Sequence, residues 1–165
     1  EALLGGIEGV TKTRTGWLDN REVVELWFDP AQVSYATLVE KAQSMSCADR
    51  IYARTDAQAR TAKQHAPDRT VRTDDSIRAT PDDDKYAMRQ TTWARVPMTE
   101  AQAVRVNASI SEGVNPGDVL SPRQRALHGV ISTHPDAPWP MCIGREEITA
   151  AWRSTMAAAD AAGLR

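Results

Sequence analysis

Two cysteines, Cys47 and Cys142, and three histidines, His65, His128 and His134, are the side chains of this 165-residue sequence best equipped for nucleophilic, redox or metal chemistry. Two thiols suffice for one disulfide, for a thiol–disulfide exchange couple, or for two independent free thiols, one of them a small buried hydrophobe. Their spacing does not choose among these, because bridging depends on Cα separation in the fold. Two cysteines are too few to build a structural zinc site alone, and no His-x-x-x-His or Cys-x-x-Cys spacing occurs. No dedicated metal site is expected, although His134 and Cys142 are near enough in sequence to meet. A glycine-rich phosphate loop is missing, which argues against a nucleotide enzyme. The acidic run Asp82-Asp83-Asp84 lacks calcium-loop spacing and reads as a solvated loop. The stretch Lys85–Trp93 mixes basic and aromatic residues, as expected where the C-terminal part packs on the rest, or where a ligand or partner binds.

Those side chains sit in an ordinary soluble composition. Hydrophobic content is 41%, charged content 25% and net charge −2, which excludes nucleic-acid binding driven by bulk positive charge. No apolar run approaches the roughly 20 residues of a membrane helix. The length suits one domain, or one domain with an appendage. Arginine outnumbers lysine 16 to 4, and Arg50, Arg54 and Arg60 read as a solvated face. The sequence opens at Glu1 in what reads as a helix already in progress, so residues are expected upstream; a missing signal peptide then says little about compartment, and bacterial cytoplasm and periplasm both stay open.

The elements that must position these groups follow from periodicity. Residues 1–6 read as a helix end broken at Gly5-Gly6. Residues 9–18 alternate β-branched and polar side chains, Asp19-Asn20 signals a turn, and 22–28 make a second strand, together an antiparallel hairpin ended by Asp29-Pro30. Ser34 caps a helix over 35–45, residues 50–54 form a strand, and Asp56 caps a helix over 57–66. Residues 67–85 read mostly as loop, with Val71 on a short strand. Thr99/Gln102 and Ser121/Gln124 are capping boxes opening helices that run to about Ile110 and Ile131. Residues 133–140 carry three prolines and form a rigid link. A last helix over 145–162 puts Ile148, Ala151, Trp152, Met156 and Ala159 on one face and stops at Gly163. The predicted class is α+β, with residues 1–80 as an α/β sandwich portion and 81–165 as a mainly helical extension packed on it.

Between Gly9 and Ala42 a denser pattern appears. Gly9-Val10, Gly16-Trp17, Arg21-Glu22-Val23-Val24-Glu25-Leu26-Trp27-Phe28-Asp29-Pro30 and Ser34-Tyr35 through Leu38 stand in one register. This run resembles the peptide methionine sulfoxide reductase A family, where a Gly-Val precedes a strand ending in Gly-Tyr, followed by His-Ala-Glu-Val-Val, Tyr-Asp-Pro and a helix opening Ser-Tyr. A weaker match continues through Arg50-Ile51-Tyr52 and Asp56-Ala57-Gln58, so that the resemblance spans about residues 1–65.

The resemblance implies a ferredoxin-like α/β sandwich whose first strand is missing from this chain. It also implies a thiol oxidoreductase whose nucleophilic cysteine, in a Gly-Cys-Phe-Trp signature, would lie upstream of Glu1. Glu1 matches the glutamate that follows that cysteine. Glu22 matches the family's proton donor; a carboxyl that donates near neutral pH must be kept protonated by its surroundings. Trp17 replaces a site tyrosine, keeping one N–H donor and losing the phenol. The family's long loop carrying an Asp and a second Tyr is absent: Met45–Arg50 bridges helix to strand directly. Glu22, Cys47 and Cys142 are the implied catalytic set, the two cysteines as recycling thiols, with Glu1 and Trp17 shaping the substrate pocket. No bound cofactor is implied; a thiol reductant such as thioredoxin would recycle the enzyme, and the substrate would be an oxidised protein or peptide. The alternatives are a non-catalytic binding or assembly module with the helical extension as partner surface, and a periplasmic redox or metal-handling protein using Cys47.

Overall fold

The computed structural model describes residues 1–164, which form an α+β fold. It begins with a single helical turn, α1 (Ala2–Gly5), followed by an antiparallel hairpin of β1 (Val10–Leu18) and β2 (Arg21–Phe28). Asp19 and Asn20 both take positive φ, the left-handed pair a two-residue turn needs to follow the twist of its strands. α2 (Tyr35–Ser44) starts where Ser34 accepts the Thr37 N–H. β3 (Ile51–Ala53), α3 (Asp56–His65) and β4 (Thr70–Arg72) form a right-sized crossover, and β3 and β4 pair in parallel. The cap of α3 is Thr55, not Asp56: the Thr55 hydroxyl accepts the Gln58 N–H, while Asp56 occupies the first helical position, where its charge still favours the helix dipole.

The segment expected to be mostly loop supplies β4 and a further strand, β5 (Arg78–Ala79), which pairs with β1. Gly16 allows this approach; a Cβ there would lie 2.7 Å from the Arg78 carbonyl oxygen. The result is two small sheets, one ordered β2-β1-β5 and the other β3-β4. β2 therefore ends the first sheet and β3 ends the second.

The remaining elements are α4 (Tyr86–Arg89), α5 (Glu100–Ser111), α6 (Pro122–Thr133) and α7 (Ile148–Ala161), with short 3-10 turns between them. Both capping boxes form as expected, at Thr99/Gln102 and Ser121/Gln124. The two glutamines also bond each other at 3.0 Å and Gln124 donates to the Pro97 carbonyl, so the caps tie α5 to α6. On α7 the buried stripe is Ala151, Thr155 and Ala159; Met156 is exposed. Thr155 tolerates burial because its hydroxyl donates to the Ala151 carbonyl.

Two hydrophobic clusters result. One joins Leu4, Ile7, Val10, Val33 and Leu38 to Val104 of α5, with Val24, Leu26 and Phe28 of β2 against it. The other lies among the C-terminal helices, around Met88, Val96, Met98, Val106, Ile131 and Trp139. α5 contributes to both, so it is the shared wall. Among the described residues no helix is long and apolar enough to cross a membrane.

Candidate functional site

A groove of about 650 Å³ runs between β2 and the α2–β3 region. Its lining is consecutive in sequence along both walls: Arg21 through Leu26 on one side, Ser46 through Tyr52 on the other. Successive strand residues point to opposite faces, so an uninterrupted run marks the edge of a strand rather than one of its faces. Leu4 and the α2 residues Leu38, Val39 and Ala42 supply apolar lining. Arg54 reaches across to Glu25 at 2.8 Å and also donates to the Asp75 carbonyl. The expectation that Arg54 belongs to a solvated face is thus corrected: it links the second sheet to the first.

Three of the five residues singled out from the sequence, Glu1, Glu22 and Cys47, line this groove. Trp17 is the direct cross-strand partner of Glu22, which puts both side chains on one face of the hairpin. It is 39% exposed. Cys47 is exposed, not a buried hydrophobe, with its thiol 3.3 Å from the Met45 carbonyl oxygen. It sits in the short turn that follows α2, where Ser46 takes positive φ.

Cys142 lies elsewhere. It is buried beside a cavity of about 270 Å³ that Arg89, Met98 and Arg145 also line. Burial pushes its thiol up, more than the neighbouring Thr155 hydroxyl lowers it, and a raised thiol is a poor nucleophile at neutral pH. Both cysteines are free, so no Cys47–Cys142 bridge forms in this conformation. His134 turns back on its own helix end, within 3.1 Å of the Val130 carbonyl oxygen and 3.0 Å of the Thr133 hydroxyl. Among the described residues no group of three potential metal ligands assembles.

Glu1 is held by residues that no local pattern connects with it. Its carboxylate accepts from the Thr13 hydroxyl at 2.6 Å, the Lys85 backbone N–H at 2.6 Å and the Lys85 ammonium at 2.7 Å. Lys85 also donates to the Thr13 carbonyl at 3.0 Å, and its side chain is only 1% exposed. Beside it, Asp84 accepts from the Thr15 N–H at 2.7 Å, the Thr15 hydroxyl at 2.8 Å and Arg145 at 2.6 Å. Burial acts to raise the Asp84 carboxyl, but the Thr15 and Arg145 hydrogen bonds and the nearby Lys85 charge outweigh it. The group is held below the usual carboxylate range. Asp84 is therefore not part of a solvated acidic loop. Lys85–Trp93 does form a seam, but Lys85 turns inward while Tyr86 is 66% exposed.

The groove wall also carries Tyr52, whose hydroxyl burial and then neighbouring Asp19 hold above the ordinary phenol range. It is a phenolic group within the same lining as Glu22. The placing of β3 against β2 puts it there, so sequence inspection finds a strand residue and no more. Compared with models of known protein families the sequence matches none, and no curated protein matches it significantly.

Proposed function

We propose that the protein is a diverged methionine sulfoxide reductase-like thiol oxidoreductase. In this reading the ferredoxin-like sandwich is completed, and the nucleophilic cysteine supplied, by residues upstream of Glu1. The observation that carries the reading is that Glu22, the cross-strand partner of Trp17, lines one groove with Glu1 and Cys47. The upstream thiolate attacks the sulfoxide sulfur while Glu22 delivers a proton to the departing oxygen. The S–O bond breaks as the S–S bond forms and the oxygen leaves as water; water then attacks the cysteine sulfur, the S–S bond breaks, the thioether leaves reduced by two electrons, and the cysteine is left as a sulfenic acid. A second thiol condenses with it, releasing water and forming a disulfide, which an external dithiol of the thioredoxin class reduces. Cys47 suits that second role because it is exposed at the groove, whereas Cys142 is buried in another cavity. The Tyr52 hydroxyl, in the lining of the same groove, offers a hydrogen bond to the sulfoxide oxygen.

The test uses the native protein, whose intact mass and N-terminal sequence establish what precedes Glu1. Reduction of a methionine sulfoxide peptide with dithiothreitol is expected, and Glu22→Gln is expected to lower kcat/KM by about 10²–10⁴-fold. Unchanged turnover in that variant removes Glu22 from the mechanism. A native chain with no cysteine upstream sinks the reductase reading.

One feature favours the second reading, a non-catalytic module on the same fold. Met45–Arg50 links α2 to β3 as a short turn, leaving no loop to complete the site with further polar groups. A native protein that has the upstream cysteine, yet binds peptide without turnover, selects this alternative.

A further inference from the structure

We infer that the cavity beside Cys142 binds a small zwitterion with an apolar side chain, a free α-amino acid. Its carboxylate lies on Arg89 and Arg145, its ammonium at Glu146, and its side chain against Met98, Ile143 and Ala151. The cavity, of about 270 Å³, lies where the end of α4, residues 141–146 and the first turn of α7 meet. It shares no lining residue with the β2 groove.

Arg89 spends Nε and Nη2 on two backbone carbonyls, those of Asp84 at 2.8 Å and Pro81 at 2.7 Å. These nitrogens form one edge of the guanidinium. The end edge, made by Nη1 and the second Nη2 hydrogen, is the fork that matches the two oxygens of a carboxylate. Among the described residues Arg89 is in no ion pair. Arg145 reaches the same Pro81 carbonyl and bonds the Asp84 carboxylate at 2.6 Å. Two like charges thus meet on one carbonyl oxygen, and Asp84 is the one carboxylate bonded to the pair. Lys85, the next cation, is matched by Glu1. Glu146 also lines the cavity, is exposed, and is in no ion pair with either arginine. Unpaired charge of both signs therefore lines one small cavity. An anion alone meets Glu146, and a cation alone meets two guanidiniums; a zwitterion answers both. Cys142, whose burial keeps the thiol protonated, adds no charge, and Met98, Ile143 and Ala151 give the apolar wall.

These groups are held in place by the fold. The Cys142 N–H donates to the Ala94 carbonyl at 2.6 Å. Gly144 has a φ of 78° and packs so closely on α5 that a Cβ would lie 2.8 Å from both the Ala103 Cβ and the Glu100 Cα. The segment that carries Arg145 and Glu146 is thereby pinned at two points. Asp84, which orients Arg145, is itself held by the N–H and hydroxyl of Thr15 on β1. Donors fixed in advance leave a ligand little ordering cost.

Titration calorimetry on the protein tests this, with L-leucine, L-isoleucine and L-phenylalanine as probes. At least one is expected to bind one-to-one with a Kd of about 0.1–1 mM. Its amide, which lacks the carboxylate, and its deamino acid, which lacks the ammonium, are each expected to bind at least about tenfold more weakly. At ten times its Kd the amino acid is expected to slow iodoacetamide alkylation of buried Cys142 about tenfold, without slowing that of exposed Cys47. Arg89→Gln is expected to abolish binding. Glu146→Gln changes an exposed side chain and keeps the fold; it is expected to bring the amino acid down to the affinity of its deamino acid. No saturable binding by any of the three probes overturns the inference. So does a deamino acid that binds as tightly as the amino acid, or an affinity unchanged in Glu146→Gln. Binding that leaves Cys142 alkylation unslowed puts the ligand elsewhere and overturns it as well.

Discussion

The two outer edges of one hairpin are finished in opposite ways. β1 is closed by a two-residue strand and then by two buried charged side chains, each of which takes the place of a ladder partner. β2 is left open onto a groove with an apolar floor. Closing an edge with Asp84 and Lys85 requires burying two charges, which is tolerable only because every charged atom there has a partner. Opening the other edge leaves backbone groups to water, at no desolvation cost but with nothing fixed in place. The closed edge thus carries stability, and the open edge borders the groove.

The comparison breaks most visibly at Lys85. Lys85→Met leaves the Glu1 carboxylate buried without its cation, and a loss of about 3–5 kcal/mol in urea unfolding is expected. Asp84→Asn keeps the size but removes the charge-assisted bonds to Thr15 and Arg145, for an expected loss of about 1.5–3 kcal/mol. Because the folded Asp84 carboxyl lies below its ordinary value, its contribution is complete above the usual carboxylate range and is lost as pH falls through the depressed value. Asp84→Asn should therefore flatten the acid limb of stability against pH, and an unchanged limb would show that Asp84 is not its source.

A smaller effect separates the helical layer from both edges. His128 stacks on Trp93 with ring centroids 3.3 Å apart and bonds the Thr92 hydroxyl at 2.9 Å. Burial holds its imidazole below the usual range. The neutral ring is the form favoured in the folded state, so its contribution is present above the ordinary imidazole range and is lost as pH falls through the depressed value. Thermal unfolding between pH 7 and pH 5 should show this slope, and His128→Gln should remove it. The smallest effect belongs to the open edge: Glu22→Gln should change stability by no more than about 0.5 kcal/mol, since Glu22 is exposed. A larger loss would mean that Glu22 supports the fold rather than the site.

Legibility in the sequence followed locality. The hairpin with its Asp19-Asn20 turn, the Ser34 cap and both capping boxes depend on residues within a few positions of each other, and they stand where the sequence places them. The assignment of Asp56 as a cap failed by one residue because Thr55 offers the same kind of oxygen one position earlier. Met156 failed as a core residue because helical spacing alone does not distinguish it from Thr155, whose hydroxyl bonds its own helix. Of the site, the Glu22–Trp17 register is readable once the turn is known, since a two-residue turn fixes the pairs behind it as far as Lys12–Trp27, beyond which a bulge shifts the register. The roles of Arg54, Tyr52 and Cys47 as groove lining are not readable, because they depend on how the β3-β4 pair stands against β2.

The sequence by itself determined the α+β class, the hairpin with its turn and, to within about three residues, the ends of the longer helices, all set by turn chemistry, caps and periodicity within short windows. Only the tertiary structure decided that Glu1, Thr13 and Lys85 share one buried network, that Asp84 leaves solvent to close β1, and that β2 and the α2–β3 region line one groove. The physical reason is that a buried charge is stable only where its partners converge, and those partners lie 84 and 72 positions from Lys85. No local pattern records such a convergence.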